Sequence, residues 1–394
     1  MGYKAFKYYL RPTSIQSRHL DHIRLICCEL YNAALQEKRD AYHKQGIKLS
    51  RTRQNAELVG VKSERPDVAE VYAQVLQDVI RRLHRAFDGF FRRVKLGQKP
   101  GYPRFRSAKR YDSFTFPQVE RRGYHVTGGV ERTSDGRLKI HGIPGAVRVK
   151  WHRPLLGIPK TATFKREGNR WYVIFSCDNV PEEKLLPTGR ECGVDLGLLH
   201  FATLDDGTTI ENPRLLRHAE GAHRRAQRKV SRRKKGGYRR NEARIVYAGH
   251  CRHVANARRN HAHKVARYLV NNYDRIAVEK LNITGLSRGF LSKSVHDAGW
   301  GMFLAILTSK AANAGREVVA VNPAGTSQEC SGCGAVVRKP LSERVHRCVC
   351  GLVIDRDVNA ARNIRARAFA RPGGGLRGGR PDVRASDDPG SFAL

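Results

Sequence analysis

Residues 191–207, ECGVDLGLLHFATLDDG, place one aspartate, Asp195, inside an apolar run. The stretch holds two apolar runs joined by a tight turn, and residues 207–212, GTTIEN, supply a third. Three short apolar runs separated by turn residues predict an antiparallel meander of strands. Because a carboxylate in an apolar strand is costly unless it is paired or binds metal, Asp195 is a candidate functional residue.

The residues that follow predict the rest of this domain. Residues 214–270 are helical in pattern, IAVEKL (276–281) and EVVAVNP (317–323) are strand-like, and helices are expected near 297–315 and 357–370. A strand meander followed by helix, strand and helix is the order of an RNase H-like α/β fold. From pattern alone it is one of several α+β arrangements.

Two further acids, like Asp195, are candidate functional residues. Glu279 interrupts the apolar run Ile276–Leu281, and Asp357 begins an Ala-rich helix in DRDVNAA (355–361). Strand acids are more often paired with arginine, and an acid at a helix start is often a cap. If all three meet at one sheet edge, they offer oxygen ligands to two Mg²⁺ ions about 4 Å apart, suited to in-line attack on phosphorus. Asp355 competes with Asp357 as the third ligand, and Asp357 is favoured.

Four of the nine cysteines predict a zinc ribbon. Two short knuckles, each supplying a pair of thiolates, suit tetrahedral Zn²⁺. The second knuckle has one intervening residue instead of two, so His346 is a backup ligand should Cys348 point away. Coincidental spacing is the alternative. A closed site of this kind is structural. The four thiols are Cys330, Cys333, Cys348 and Cys350.

The pattern of the first half of the chain predicts strands on both sides of a helical block. Residues 3–10 predict a strand, residues 13–94 are helical with a polar link at 46–66, and Gly and Pro residues end the block at 97–106. Residues 113–180 alternate apolar and polar residues, which predicts a small β-domain. The strand at 3–10 could complete it as a β-barrel into which the helices are inserted.

The charge balance favours nucleic acid as the partner. With 74 Lys and Arg against 36 Asp and Glu, the formal net charge is +38, and Arg outnumbers Lys by 52 to 22. Such a charge repels itself unless a polyanion neutralises it, and the guanidinium group suits phosphate oxygens. The candidate phosphate contacts are Arg104 and Arg106 in PRFR (103–106), and Arg232, Arg233, Lys234 and Lys235 in a densely basic run.

Both basic segments have plainer interpretations. A charge run is often a solvated face, but this one is expected on helices within 214–270, where 18 Lys and Arg accompany two Glu, so phosphate contact is favoured. The PRFR segment suits stacking on structured RNA, and a turn that anchors the core is an equal alternative.

Several classes of protein are disfavoured. No run approaches the 18 or so apolar residues of a membrane span, and MGYKAFKYYLRP (1–12) lacks the apolar region of a secretory signal. We therefore expect a soluble, cytosolic protein without a membrane partner. An odd number of cysteines in that compartment argues against a disulfide framework.

Taken together, the motifs closely resemble the transposon-encoded TnpB proteins and the related miniature type V CRISPR effectors. The resemblance rests on GVDLG (193–197), the Glu279 strand, TSQECSGCG (326–334) and DRDVNAARNI (355–364), which are similar to the three RuvC motifs and the ribbon of that family. VLQDVIRRL (75–83), Phe90–Phe91 and GYPRFRSAKR (101–110) resemble its recognition lobe. The resemblance covers roughly residues 1–370.

The resemblance implies an RNA-guided DNA endonuclease that binds a guide RNA, reads a short flanking DNA motif and cuts double-stranded target DNA. Asp195, Glu279 and Asp357 then carry Mg²⁺, the four cysteines carry one Zn²⁺, and Gln77 contacts the flanking motif. Because Ala73 and Gln74 depart from the family pattern, the motif sequence does not carry over.

The implied fold class is α+β and multidomain: an RNase H-like (RuvC) nuclease domain with a zinc ribbon, and a wedge β-barrel with an inserted helical recognition domain. The expected domains are the wedge at 1–12 and 110–187, recognition at 13–109, RuvC at 188–324 and 353–370, the ribbon at 325–352, and a disordered tail at 371–394.

Two other functions compete with guided cleavage. One is an RNA-guided DNA-binding repressor with weak or no cleavage, and the other is a structural RNA-binding protein whose acids are only buried ion pairs. The source of the guide, from a transposon end or a CRISPR array, and the oligomeric state are not encoded in the chain.

Overall fold

The structure is a computed structural model that describes residues 2–122, 125–127, 129–340 and 342–369. The predicted tail at 371–394 lies outside these residues. The chain forms two compact units, one ending at Pro181 and one beginning at Glu182. Leu185 packs into the core of the second unit, and its N–H donates to the carbonyl of Ala314 at 3.1 Å. The observed division therefore falls a few residues before the boundary expected at 187.

An antiparallel sheet of seven strands organises the first unit, in the order β2-β8-β9-β1-β7-β6-β5. The strand predicted at 3–10 lies inside it, paired with β9 and β7. The strand pairings end at β2 and β5, while β3 contacts β8 and β4 contacts β5, so the described strands form part of the expected barrel. The strands of this unit are β1 (Gly2–Arg11), β2 (Ser113–Phe116), β3 (Glu120–Arg122), β4 (His125–Thr127), β5 (Val130–Arg132), β6 (Leu138–Ile140), β7 (Ala146–Lys150), β8 (Ile158–Glu167) and β9 (Arg170–Val180); β3 and β4 pair separately.

Four helices follow β1 in the chain: α1 (Ser14–Gln45), α2 (Arg51–Glu64), α3 (Pro66–Ala69) and α4 (Ala73–Lys95). Thr13 begins α1 with a capping box, and Gly46 ends it at φ 67°, a left-handed conformation that suits glycine. The polar link predicted at 46–66 was wrong, because α2 occupies most of it. α2 buries only Gln54 and Leu58, so its sequence carries little helical periodicity.

The second unit contains a five-stranded mixed sheet in the order β12-β11-β10-β13-β14. The first three strands form the predicted antiparallel meander, while β13 lies parallel to both β10 and β14. The strands are β10 (Glu191–Asp195), β11 (His200–Leu204), β12 (Thr209–Glu211), β13 (Arg275–Glu279) and β14 (Glu317–Val321). Parallel neighbours require crossover connections, which the helices of this unit provide.

The helices of this unit are α5 (Leu215–Ser231), α6 (Tyr238–Asn272), α7 (Ile283–Leu286), α8 (Ser292–Ala298), α9 (Trp300–Ala314) and α10 (Arg356–Phe369). The helix expected at 297–315 is divided at Gly299. α10 packs closely on β10: a Cβ on Gly193 would lie 2.0 Å from the carbonyl oxygen of Ala361. Glycine at 193 therefore permits the contact that brings Asp357 toward Asp195.

A short hairpin lies between β14 and α10. Its strands are β15 (Val345–Arg347) and β16 (Val353–Asp355), paired antiparallel. Across the described part of the chain, no helix combines the length and apolar character needed to cross a membrane.

Candidate active site and metal centre

Two of the predicted acids lie at the carboxyl ends of neighbouring parallel strands. Asp195 is the last residue of β10 and Glu279 the last of β13, and Val194 pairs with Val278 directly before them. The apolar pattern predicts these acids within their strands, whereas the structure places them at the strand ends. The end of a parallel strand is where open α/β sheets bind ligands.

The third acid, Asp357, lies in the first turn of α10, which packs on β10. Asp355 forms the cap: its Oδ1 accepts hydrogen bonds from the N–H groups of Asp357 at 2.8 Å and Val358 at 3.1 Å. The cap interpretation considered for Asp357 therefore belongs to Asp355. The side chain of Asp357 is only 14% exposed and faces Arg344 Nη1 at 3.5 Å.

Beyond burial, nearby charges act on Asp195 and Asp357, and in both cases Asp355 raises the pKa while Arg356 lowers it. Burial raises the pKa of Asp195 well above its ordinary value, and the charges of Glu279 and Asp357 raise it further. Burial also raises the pKa of Glu279, opposed by its hydrogen bond from Thr326, and that of Asp357, opposed by Arg344. Several carboxyl pKa values raised together at one place are typical of functional sites.

The hydrogen bonding of the acids differs. The Thr326 hydroxyl donates to Glu279 Oε1 at 2.6 Å in a buried contact. Asp195 is half-buried, yet no group in the described ranges donates a hydrogen bond to its carboxylate or pairs with it. A partly buried carboxylate without a donor is unfavourable unless it has another partner, and the oxygens of a carboxylate are ligands that hard divalent cations prefer.

This arrangement predicts that the acids lower stability. Asp195→Asn should raise the melting temperature, measured without added divalent metal, by ~2–4 °C, the shift that 1 kcal/mol produces in a unit of this size. A carboxyl whose pKa rises on folding stabilises the fold when protonated and loses that contribution as pH rises through its folded-state pKa. The rise in melting temperature of Asp195→Asn over the wild type should thus be full at neutral pH and shrink in acid.

Differential scanning fluorimetry across pH checks this expectation. Exposed Asp88→Asn is the matched control and should not shift the melting temperature. A melting temperature that falls in Asp195→Asn at neutral pH would show that Asp195 stabilises the fold as an ordinary polar residue.

The four predicted thiols converge in the hairpin region. Their sulfurs all lie within 4.8 Å of one another, with Cys330 Sγ 3.6 Å from Cys350 Sγ and Cys333 Sγ 3.5 Å from Cys348 Sγ. In the part of the chain that the structure describes, they are the one group of three or more His, Cys, Asp or Glu gathered so closely. The chemistry and number of these donors fit a tetrahedral Zn²⁺ site.

Backbone groups favour the thiolate form of two of these cysteines. The N–H of Leu352 and the neighbouring thiols lower the pKa of Cys350 to about 7. Burial raises the pKa of Cys330, but the N–H groups of Gly332 and Cys333 outweigh it and lower the pKa below its ordinary value. The N–H of Cys350 lowers the pKa of Cys348, but burial and the neighbouring thiols outweigh it and raise that pKa to about 12. Two of the thiols thus favour the metal-binding thiolate form, and Cys348 would release its proton on binding metal.

His346 is fully buried but is not among the four grouped ligands. Its Nδ1 lies 2.7 Å from Lys339 Nζ. Since all four cysteines reach the cluster, the backup role considered for His346 is not needed.

Two asparagines that the sequence analysis did not single out join the thiol cluster to the acids. Asn359 accepts from the Ser331 N–H at 2.9 Å and donates to the Glu329 carbonyl at 2.7 Å. Asn363 donates to the carbonyls of Thr326 and Glu329. Both are buried on α10, four residues apart, and that spacing of amides in an Ala-rich helix was the available signal.

A cavity of about 260 Å³ lies next to Arg344, and none of the three acids lines it. Arg344, which faces Asp357, is part of its wall, together with Leu198, Leu199, Asn212, Arg214, Arg217, Leu291, Ser294 and Asp297. Asp297 holds the first turn of α5 by accepting from the N–H groups of Leu216 and Arg217, and it pairs with Arg258 at 2.8 Å. The walls of the cavity are therefore cationic and apolar, and the contacts of Asp297 hold α5 and α6 in place around it.

The predicted basic run begins directly after α5. Arg232 and Arg233 line a cavity of about 540 Å³ with Arg225, Arg228 and Lys229. The basic run was expected on a helix, but residues 232–237 form the turn between α5 and α6, because glycines at 236 and 237 interrupt the helix. Lys234 and Lys235 lie in this turn.

The PRFR segment is anchored to α1. The N–H of Arg106 donates to Asn32 Oδ1 at 2.8 Å, and its carbonyl accepts from Asn32 Nδ2 at 2.8 Å. The guanidinium of Arg39 lies 5.4 Å from the Phe105 ring. The backbone thus behaves as the anchoring turn considered earlier, while the Arg104 and Arg106 side chains are exposed.

Gln77 is exposed on α4 and lines a cavity of about 300 Å³. Amide and arginine side chains dominate its wall, and Gln74 donates to Gln118 Oε1 at 2.6 Å. The remaining lining residues are Arg51, Asn55, Asp78, Arg81 and Pro117.

Family models match three parts of the chain. Residues 174–289 match a model described as a probable transposase, residues 300–364 match a Cas12f1-like TNB domain, and residues 1–47 match a helix-turn-helix domain. In the structure, residues 2–45 hold one strand and one long helix, β1 and α1.

Curated relatives match nearly the whole chain. An inferred RNA-guided DNA endonuclease of Streptomyces pristinaespiralis is 32% identical, covering 97% of this chain and 94% of its own length. InsQ of Escherichia coli K12, also an inferred RNA-guided DNA endonuclease, is 28% identical over 93% of this chain and 92% of its own length.

A solved structure shares the fold. A Cas12f1 chain, solved by cryo-EM in a complex with sgRNA and target DNA, superposes with a TM-score of 0.59 at 16% identity, covering 89% of this chain and 82% of that chain.

Proposed function

Because this chain belongs to the TnpB family of RNA-guided DNA endonucleases, we propose that it binds a guide RNA, recognises a short flanking DNA motif and hydrolyses phosphodiester bonds of target DNA. One observation carries the catalytic part of this proposal. Asp195 ends its strand half-buried and without a hydrogen-bond donor in the described ranges, and Glu279 and Asp357 act on it electrostatically. A half-buried carboxylate without an ion-pair partner is unfavourable, and a bound divalent metal ion would stabilise its charge.

The chemistry of the three carboxylates suits Mg²⁺, while among the described residues their oxygens are not gathered as closely as the four sulfurs. Mg²⁺ prefers carboxylate oxygens, and bound there it would activate water and stabilise the leaving 3′ oxygen. Asp195, on which the charges of both other acids act, would hold the metal together with Glu279 and Asp357. The Thr326 hydroxyl fixes one oxygen of Glu279, and Asp355 fixes the first turn of α10 that carries Asp357.

One Zn²⁺ held by Cys330, Cys333, Cys348 and Cys350 would be structural. Four thiolates complete a tetrahedral shell and leave no open position for chemistry. The hydrogen bonds of Asn359 and Asn363 then hold α10 against the first knuckle (330–333) and against the segment that carries Thr326.

We assign the units to the expected domains. In the second unit, the sheet order and its parallel β10–β13 pair are those of an RNase H-like RuvC domain, and residues 325–352 are its ribbon. In the first unit, residues 13–109 serve recognition and the sheet is the wedge. This layout has residues 182–187 on the RuvC side.

The charge of the chain suits this work. Base pairing between the guide RNA and the target DNA supplies sequence specificity, while the protein contacts the sugar-phosphate backbone of the nucleic acid. The cationic cavity on α5, with Arg232 and Arg233, offers phosphate contacts, and binding should weaken steeply with salt. The substrate would be DNA of the prokaryotic cytosol.

Gln77 is the proposed contact to the flanking motif. Amide side chains read base edges, and a good contact of this kind is worth about 1–3 kcal/mol. Gln77→Ala should therefore slow cleavage of a target with the preferred motif about 10-fold at limiting enzyme and flatten the preference among motifs. Exposed Gln45→Ala, at the end of α1, is the control. An unchanged motif profile in Gln77→Ala would remove Gln77 from motif recognition.

The proposal is tested with the purified ribonucleoprotein. The accompanying RNA is sequenced, its guide portion is reprogrammed, and a plasmid library with randomised flanking sequence is offered in Mg²⁺. Cleavage of guide-matched plasmids beside one flanking motif supports the proposal. Matched binding without cleavage would instead favour the repressor, and RNA binding without DNA binding would favour a structural RNA-binding protein. No observation on the chain favours either.

A further inference from the structure

A cavity of about 360 Å³ in the first unit lies where β7 ends and has no role in the proposed catalysis. Its walls are the side of β5 that carries Arg132 and the segment after β7. The lining residues are Arg132, Trp151, His152, Arg153, Pro154 and Leu155.

Two arginines of this cavity stack on aromatic rings. The guanidinium carbon of Arg132 lies 4.5 Å from the centre of the Trp151 ring, and that of Arg153 lies 4.9 Å from the Phe6 ring. Both arginines are exposed, and neither has a carboxylate partner within the described side chains. Stacking uses the face of a guanidinium and leaves N–H groups at its edge to bind oxygens, and part of the Arg153 edge interacts with the Tyr8 hydroxyl.

The platform beneath the arginines is held rigidly. Trp151 Nε1 donates to the Gly136 carbonyl at 2.6 Å, and the Tyr8 hydroxyl donates to the Pro154 carbonyl at 3.2 Å. The Tyr8 and Trp151 rings lie 4.5 Å apart, and Phe175 stacks with Trp151 at 6.2 Å. Strand β1 thus anchors both sides of the cavity, so the two guanidinium groups lose little freedom when a ligand binds.

We propose that Arg132 and Arg153 form a preorganised seat for a phosphodiester group of a nucleic-acid backbone. The inference rests on the proposed function, which supplies the nucleic acid, but it assigns a site that catalysis does not need. The outer face of Trp151 is already covered by Arg132, so this cavity favours phosphate oxygens over a stacked base. RNA and DNA share that chemistry.

Salt dependence of binding provides the direct test. Each phosphate contact contributes about 0.7 to 0.9 to the slope of log K against log salt. Because both arginines bind one phosphate, Arg132→Ala/Arg153→Ala should reduce the magnitude of this slope by about 0.7 to 0.9 and weaken binding at low salt. Arg132→Lys/Arg153→Lys should restore the slope but not the full affinity, because lysine lacks the planar fork. The matched control is Arg137→Ala, since Arg137 pairs with Asp135 at 2.7 Å.

Two arms distinguish the source of the phosphate. One titrates labelled guide RNA with RNA-free protein, and the other titrates target duplex with the assembled ribonucleoprotein. A slope change in the RNA arm assigns the seat to RNA, and one confined to the DNA arm assigns it to DNA. Unchanged slopes in both arms, with the variants folded by circular dichroism, overturn the proposal.

Tryptophan fluorescence gives a second readout. Trp171 and Trp300 are buried, whereas Trp151 is half-buried beneath Arg132. Nucleic acid that occupies the seat should change the emission of the wild type, and the change should vanish in Trp151→Phe. An equal change in Trp151→Phe would contradict occupation of this cavity. If the wild type does not cleave DNA, the proposed function is contradicted, whereas the salt dependence of binding and the tryptophan fluorescence still test the seat.

Discussion

Asp195→Ala is expected to abolish target cleavage while guide-RNA binding stays near the wild-type level. The charges of both other acids act on Asp195, and its removal would take away one of the three proposed metal ligands. Transition-state stabilisation by a bound metal is worth several kcal/mol, so cleavage should fall by about 10³-fold or more. Glu279→Ala and Asp357→Ala should have similar effects. The measurement is single-turnover cleavage of a matched plasmid in Mg²⁺, beside filter binding of the guide RNA.

Asp355→Asn is the matched control for this series. Asparagine caps a helix about as well as aspartate, so the first turn of α10 should persist while one charge near the site is lost. Near-wild-type cleavage in Asp355→Asn, together with loss in Asp357→Ala, would assign the third ligand to Asp357. The reverse pattern would assign it to Asp355, and wild-type cleavage in Asp195→Ala would contradict the proposed catalytic acids.

Cys330→Ser is expected to remove the zinc and unfold the ribbon. Structural zinc contributes about 10–16 kcal/mol of apparent binding free energy in zinc-finger peptides, and a shell with one thiolate missing forfeits much of it. The zinc content, measured by inductively coupled plasma mass spectrometry, should fall from about one per chain to near zero. Cleavage should fall too, because Ser331, next to Cys330, is hydrogen-bonded to Asn359 on α10.

Two controls separate zinc binding from general damage. Cys251→Ser changes a half-buried thiol outside the cluster and should keep one zinc per chain. His346→Gln should also keep it, because the four sulfurs are gathered without that ring. A zinc content near zero in the wild type would remove the ribbon proposal, and its loss in His346→Gln would restore histidine as a ligand.

The sequence predicted the second unit well because its signals are local. Short apolar runs and turn residues defined β10 to β12, and Asp195 and Glu279 were conspicuous as charges in apolar runs. That the acids lie at the strand ends was not predictable, because apolar residues continue past each end, as Leu196 does. The exchange of roles between Asp355 and Asp357 depends on backbone geometry at one helix start, which composition does not encode.

The first unit was harder to predict because its structure depends on distant contacts. α2 has few apolar residues, and it is held by Gln54, which donates to the Ala34 carbonyl at 3.0 Å and to Glu37 at 2.7 Å. The seat at Arg132 and Arg153 depends on rings supplied by Trp151 and by Phe6 on β1, so no local motif marks it. Cationic residues are abundant in this chain, and only the structure shows which lack partners.

The central claim is that Asp195, Glu279 and Asp357 jointly hold divalent metal. The most direct measurement is an anomalous-difference map from crystals soaked in Mn²⁺. We predict two peaks about 4 Å apart, both within ligand distance of Asp195, and their loss in Asp195→Ala crystals. A map of the wild type without a peak at any of the three carboxylates would contradict the claim.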